Sequence, residues 1–282
     1  MSEASSLAWP LARGQVPALA LDGITCIFPP AGRREAPYTA LREASFQVGK
    51  GEFLAVVGPT GCGKSTLLNI AAGLIAPTSG RVLVEGSLLA GLNKDAGYLF
   101  QADALMPWRS ALDNVAAGLQ FRGVGRKETV GRAQEWLERV GLEGFGNRYP
   151  HQLSGGMRKR VALAQTLILD PKIVLMDEPF SALDVQTRQL MENELLELWS
   201  SDRKSVVFIT HDLEEAISLS DRVMVFSAGP ATHPIGEFVI DLARPRDVSE
   251  VRMTKRFLEL HQKIWELLKA EVLKGYAQQK RA

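Results

Sequence analysis

Hydrophobic positions along this chain change their pattern several times. Ala18 to Phe28, Ala44 to Val48 and Glu52 to Val57 are rich in β-branched and aromatic residues bounded by Gly and Pro, which predicts strands. Thr66 to Ala72 then predicts a helix. Later apolar runs, at Arg81–Val84, Tyr98–Phe100, Ile173–Met176, Val206–Ile209 and Val223–Phe226, are continuous rather than alternating. Such runs predict strands buried on both faces, as in a parallel sheet covered by helices. From about Ser110 to Leu169 the strand signal gives way to consecutive helices, with Trp136, Leu137 and Val140 on one face and Gly141 as a stop. This stretch predicts a helical subdomain inserted into the sheet. In the tail, Glu250 to Lys274 sets Phe257, Leu260, Ile264, Leu267 and Leu268 at helical spacing, a packing stripe that ends at Gly275. Residues 1–18 and Pro29 to Pro37 read as a loose leader and a surface loop.

Composition narrows the function classes. The 282 residues hold 33 Lys+Arg against 32 Asp+Glu, so the net charge of +1 lacks the basic excess of a nucleic-acid binder. That length allows one large domain, or one domain with an insertion. Two cysteines, Cys26 and Cys62, argue against a disulfide framework and for a reducing compartment. Met1 to Pro10 shows no signal-peptide pattern, and no run approaches the roughly 18 apolar residues of a membrane span. The expectation is a cytoplasmic chain whose membrane component, if any, is a partner.

The sharpest chemical signal is Gly58-Pro59-Thr60-Gly61-Cys62-Gly63-Lys64-Ser65-Thr66, a G-x-x-x-x-G-K-[ST] match between a predicted strand and a predicted helix. Its glycines let backbone amides curl around phosphate oxygens at a helix N-terminus. In this reading Lys64 reaches the β- and γ-phosphates and Ser65 ligates magnesium. The thiol of Cys62 is either activated by the helix terminus, so that alkylation blocks nucleotide, or buried and inert. A second element, Ile173 to Glu178, is an apolar strand ending in two carboxylates. Asp177 suits a magnesium shell, and Glu178 suits activation of the attacking water. A third, Val206 to His211, brings a histidine to the C-terminal end of a buried strand, where ligands of α/β sheets gather. Asp212 and Glu215 fit a capping pair for the next helix. A fourth, Leu153-Ser154-Gly155-Gly156-Met157, offers Ser154 as an N-cap and the amides of Gly155 and Gly156 as a second anion site.

In this order, these elements resemble the ATP-binding subunit of an ABC transporter, over about residues 19–240. The resemblance implies an α/β P-loop NTPase (RecA-like) core with a mixed, largely parallel sheet. It also implies an N-terminal antiparallel β region and a helical subdomain inserted at about 110–169, and beyond it the apolar spacing of the tail predicts a C-terminal helical extension over 241–282. It implies that Gln101 is the Q-loop glutamine touching magnesium and water, that Asp184 lies in the D-loop, and that His211 is the switch histidine. Ser154, Gly155 and Gly156 become the signature that contacts the ATP of a second copy in a head-to-tail dimer. Phe28 best matches the aromatic that stacks on adenine, with Tyr38 as the alternative. Further implied are ATP and Mg2+, integral membrane permease subunits, an external solute-binding protein acting indirectly, and a place on the cytoplasmic face of the inner membrane. No nucleic acid is implied. Leu105 to Arg109 and Asp241 to Arg246 resemble the importers of nitrate, sulfonates and taurine. Within that subgroup Trp108 and Met106 are either the contact for a permease or subdomain core. Departures from the subgroup are Thr60 for Ser, Lys159 for Gln and Gln165 for Arg. The rival readings, a soluble non-transport ABC ATPase or a nucleotide-binding regulator, lack support, since the chain has no second cassette and keeps both Glu178 and His211.

Overall fold

The computed structural model describes residues 16–30, 32 and 36–279, so most of the predicted leader and part of the Pro29–Pro37 loop lie outside the described residues. The chain opens with β1 (Leu19–Phe28), β2 (Tyr38–Val48), β3 (Phe53–Val57), α1 (Lys64–Ala71), β4 (Ser79–Val84) and β5 (Ser87–Leu88). It continues through β6 (Ala96–Leu99), α2 (Ala111–Phe121), α3 (Arg126–Arg139), α4 (Gly155–Leu167), β7 (Ile173–Asp177) and α5 (Val185–Ser201). Last come β8 (Ser205–Thr210), α6 (Leu213–Leu219), β9 (Arg222–Phe226), β10 (Pro234–Val239), α7 (Val248–Val251) and α8 (Lys255–Gln279). Two compact units result, one from the residues up to 93 and those from 203 onward, the other from Lys94–Asp202.

In the first unit β2, β1, β4 and β5 form an antiparallel sheet. The strand predicted from Ala44 begins at Tyr38, because Tyr38 and Thr39 pair with Phe28 and Ile27 of β1 across the intervening loop. That half of β2 takes its strand character from a partner rather than from its own residues. The second sheet of this unit is parallel, with β3 between β8 and β9 and β10 antiparallel on β9. β3, β8 and β9 are buried along their whole length, which is why their sequences run apolar without alternation. Phe53, Phe208 and Phe226 fill this core. The register sets Val57 opposite both Thr210 and Val225, so the chain leaves all three strands at one edge.

Below that edge Arg222, itself buried, donates to both oxygens of Glu52, at 2.6 and 3.1 Å, and to the carboxylate of Glu237 and the carbonyl of Gln47. Burial alone would lower the guanidinium's proton affinity, but the two carboxylates raise it above the usual range. Arg222→Met leaves two partly buried carboxylates without their cation and is expected to cost about 3 kcal/mol of stability, the low end for a buried pair. Urea unfolding checks this, and a midpoint equal to the parent's would show that the cluster contributes nothing net.

In the second unit β6 and β7 pair in parallel, with Leu99 opposite Met176. Helices α2, α3 and α4 enclose a core of Val115, Leu119, Leu137, Val140, Val161 and Ile168. Trp136 packs on the edge of this core, with the Arg139 guanidinium 4.1 Å over its ring. Gly141 follows α3 at φ +67°, the conformation expected of a helix stop.

The tail helix differs from its predicted span at both ends, since α7 is separate and α8 starts only at Lys255. Nor does it end at Gly275, because α8 runs on to Gln279. Phe257, Leu260, Ile264 and Leu268 are buried as the stripe predicts.

Candidate functional site

In the first unit, the segment that follows β3 curls back on itself. Gly61 and Gly63 have φ +76° and +108°, values that side chains strain to reach. A Cβ on Gly63 would also stand 3.2 Å from Ala40 O. Lys64, the first residue of α1, is only 4% exposed, and its ammonium donates to Gly58 O at 2.9 Å and Pro59 O at 3.0 Å. The lysine therefore arches over its own loop and places a positive charge at a helix N-terminus. Thr60, Gly61 and Ser65 are exposed, Thr66 is half-buried and Pro59 is buried. Cys62 is 2% exposed, and its N–H closes a turn onto Pro59 O at 3.3 Å. Of the two readings of this thiol, its burial fits the inert one.

His211 sits exposed where β8 ends, at the edge from which the phosphate loop leaves β3. The turn that carries it is pinned from inside the protein. Thr210 Oγ1 donates to Glu215 Oε2 at 2.5 Å and accepts from Asp212 N–H at 3.0 Å. Asp212 caps α6 through the amides of Glu214 and Glu215, as expected, but Glu215 does not complete a capping box. Its buried carboxylate turns to Thr210 instead. The two aromatic candidates, Phe28 and Tyr38, stand directly opposite in the β1–β2 register and share one face of the sheet. The Tyr38 hydroxyl lies 3.3 Å from where a Cβ on Gly229 would be.

In the second unit, the register of β6 and β7 brings Gln101 and the pair Asp177–Glu178 out at one strand edge. Asp177 accepts a hydrogen bond from Tyr98 of β6, and burial together with that charge pushes the Tyr98 phenol well above its usual range. Glu178 leaves the strand at φ +42°, a conformation that costs a side-chain-bearing residue about 1–3 kcal/mol and gathers at functional sites. Its carbonyl accepts from Ser181 Oγ at 3.0 Å, and Gln101 Nε2 stands 3.5 Å from that same hydroxyl.

The backbone of Gln101 is held by Lys159, which is 3% exposed. The Lys159 ammonium donates to Gln101 O at 2.5 Å and pairs with Asp103 at 3.1 Å, while Arg158 takes the other Asp103 oxygen at 3.0 Å. Lys159 thus does more than depart from the subgroup's usual glutamine, since it ties α4 to the segment carrying Gln101. Sequence reasoning missed this tie, as it missed the bonds from Tyr98 to Asp177 and from Thr210 to Glu215. For Tyr98 and Thr210 the only signal was a hydroxyl in an apolar strand, with no way to name its partner, and Lys159, between Arg158 and Arg160, and Glu215, after Glu214, carried none.

Ser154 caps α4 by accepting from Met157 N–H at 3.3 Å, with Gly155 and Gly156 as the first two helical residues. A Cβ on Gly156 would come within 2.8 Å of Thr187 Cγ2. Asp184 caps α5, and the backbone amide of Thr187 holds its exposed carboxyl below the usual range. Trp108 is 74% exposed and so is not subdomain core, whereas Met106 is half-buried and tied to the buried Asn114. Among the described residues no cluster of three or more His, Cys, Asp or Glu could hold a metal, and no helix is long and apolar enough to cross a membrane.

The family described as ABC transporter matches residues 41–181 of this sequence. The chain belongs to that family. It is 50% identical over 258 residues to an ABC transporter ATP-binding protein of Methanocaldococcus jannaschii, covering 91% of this chain and 93% of that one. It is 44% identical over 245 residues to a taurine import ATP-binding protein of Burkholderia pseudomallei, covering 86% of this chain and 94% of that protein. Among solved structures it is similar to a dimeric ATP-binding cassette in a post-hydrolysis state with ADP and phosphate. That match has a TM-score of 0.69 and 32% identity, over 80% of this chain and all of that one. The P-loop NTPase fold of the family accounts for the parallel strands and for the loops that leave them at their C-terminal ends.

Proposed function

We propose that this chain is the ATP-hydrolysing subunit of an importer, and that the imported solute is a small sulfonate of the taurine type. The observation that carries the ATPase reading is the buried Lys64 ammonium held over the loop at Gly58 and Pro59, at the strand edge that also presents His211. The solute class rests on similarity to taurine import proteins over nearly their whole length, together with Leu105–Arg109 and Asp241–Arg246.

In this mechanism the amides of residues 58–66 and the Lys64 ammonium receive the phosphates, and Phe28 or Tyr38 stacks on adenine. Glu178 takes a proton from water as its oxygen attacks the γ-phosphorus in line, and ADP departs with the bridging oxygen. His211 steadies the transferring group. The Ser65 hydroxyl, the Asp177 carboxylate and the Gln101 amide are all hard oxygen donors, a set that fits Mg2+. When bound there, the metal would neutralise charge on the phosphates. Tyr98, hydrogen-bonded to Asp177, keeps that carboxylate oriented. Ser154, Gly155 and Gly156 of a second copy close over each nucleotide, and Asp184 shapes the turn beside them. Closure drives separate permease subunits docked near Gln101 and Trp108 on the cytoplasmic side of the membrane, and a solute-binding protein delivers the solute from outside.

A strain lacking this chain is expected to lose growth on taurine or an alkanesulfonate as sole sulfur source. The parent chain should restore growth and Lys64→Ala should not. A defect confined to nitrate as nitrogen source would move the solute to nitrate, and normal growth on every source would refute the importer subgroup.

A further inference from the structure

The C-terminal helix reaches the phosphate loop. A Cβ built on Gly275 of α8 would stand 3.2 Å from Pro59 Cβ, the second residue of the loop. Glycine inside a helix costs about 1 kcal/mol relative to alanine. The close approach to Pro59 accounts for it here. One turn earlier, Glu271 is 7% exposed and accepts a hydrogen bond from Ala228 N–H at 2.8 Å. Its other oxygen takes the Lys274 ammonium at 2.5 Å. Burial pushes the Glu271 carboxyl up, but Lys274, the Ala228 amide and the charge of His233 hold it below its usual range.

Ala228 opens the loop that leaves β9, and that loop backs the nucleotide segment. A Cβ on Gly229 would lie 3.5 Å from Cys62 Cα. Ala231 and Thr232 donate backbone hydrogen bonds to Thr39 O at 2.7 Å and Ala40 O at 3.1 Å. Ala40 O is the atom for which Gly63 leaves room. α8 therefore bears on the phosphate loop twice, directly at Pro59 and through Ala228 behind Cys62. Lys64 donates to Pro59 O, so a displacement of Pro59 displaces the ammonium.

We propose that α8 is a positioning element of the nucleotide site, in which Glu271 and Gly275 fix the phosphate loop in the shape that binds ATP. The inference rests on the reading of residues 58–66 as the ATP loop. It gives the C-terminal extension a part in binding nucleotide, through residues that do not touch it.

The test is the ATP dependence of hydrolysis by the purified full-length chain, with thermal unfolding of each variant measured without nucleotide. Glu271→Ala removes the acceptor for Ala228 N–H, and Gly275→Leu forces α8 off Pro59. Both are expected to raise KM for ATP about tenfold, equivalent to 1.4 kcal/mol of binding, with a smaller fall in kcat because the Lys64 ammonium is shifted rather than removed. Gly275→Ala, which needs a shift of only tenths of an ångström, should give a smaller rise and serves if the leucine variant does not fold. Glu271→Gln keeps an oxygen acceptor and is expected to restore the parent KM. Leu273→Ala, on an exposed part of the same helix, should change nothing. KM values equal to the parent's in Glu271→Ala and both Gly275 variants, alongside lost ATP binding in Lys64→Ala, would overturn the proposal and leave the ATPase reading intact. Parent-like ATP binding by Lys64→Ala would overturn both.

Discussion

Lys64→Ala is expected to lower ATP turnover by about 10²–10³, the loss seen when one preorganised charge-stabilising donor is removed from a reaction centre. The reason lies in the geometry of the loop. The ammonium is buried and fixed by Gly58 O at 2.9 Å and Pro59 O at 3.0 Å, so its charge is in place before any phosphate arrives. No reorganisation is then needed as negative charge builds on the leaving and transferring oxygens. Alanine removes that charge and also takes from both carbonyls the donor that folds the loop over itself. Nucleotide affinity should therefore fall together with turnover. Phosphate release and binding of a fluorescent ATP analogue measure the two effects. Turnover within tenfold of the parent would mean that Lys64 closes the loop without touching the reacting phosphates.

Glu178→Gln should give the opposite split, with turnover reduced about 10²–10⁴, the range expected for loss of a general base, and ATP binding retained. Glutamine has the shape of glutamate, can occupy the same φ of +42°, and leaves the backbone carbonyl to accept from Ser181 Oγ. What it lacks is the ability to take a proton from water. If two copies close around ATP, the variant should accumulate as an ATP-bound dimer, seen by size-exclusion chromatography with and without nucleotide. Undiminished turnover in Glu178→Gln would transfer the role of base to another group. Read together, the two substitutions separate holding the phosphates from activating the water.

The strained backbone of Glu178 also shows what a sequence conceals. Asp177-Glu178 is visible as an acidic pair ending an apolar strand, but the positive φ is a property of how the chain leaves β7. Lys159 is visible as an unusual residue, and its meaning comes from Gln101 O and Asp103, which belong to another part of the chain. Glu215 has the spacing of a capping residue, yet the Thr210 hydroxyl competes successfully for it because both are buried together. The start of β2 at Tyr38 was hidden by the Pro-rich stretch before it and decided by pairing with β1.

The phosphate loop, the acidic end of β7, the histidine at the end of β8, the Ser154 cap and the buried parallel strands were all legible before folding was considered. Each of these is written in local spacing, where steric limits on φ and the two-residue and 3.6-residue periods act between near neighbours. Which distant groups meet at one place came from the folded chain. It turned Gly275 from an expected helix stop into the point where α8 meets Pro59, and it set Glu271 under Ala228. These contacts depend on the path of the whole chain between their members, and hydrophobic burial, which drives that path, is non-directional and names no partner.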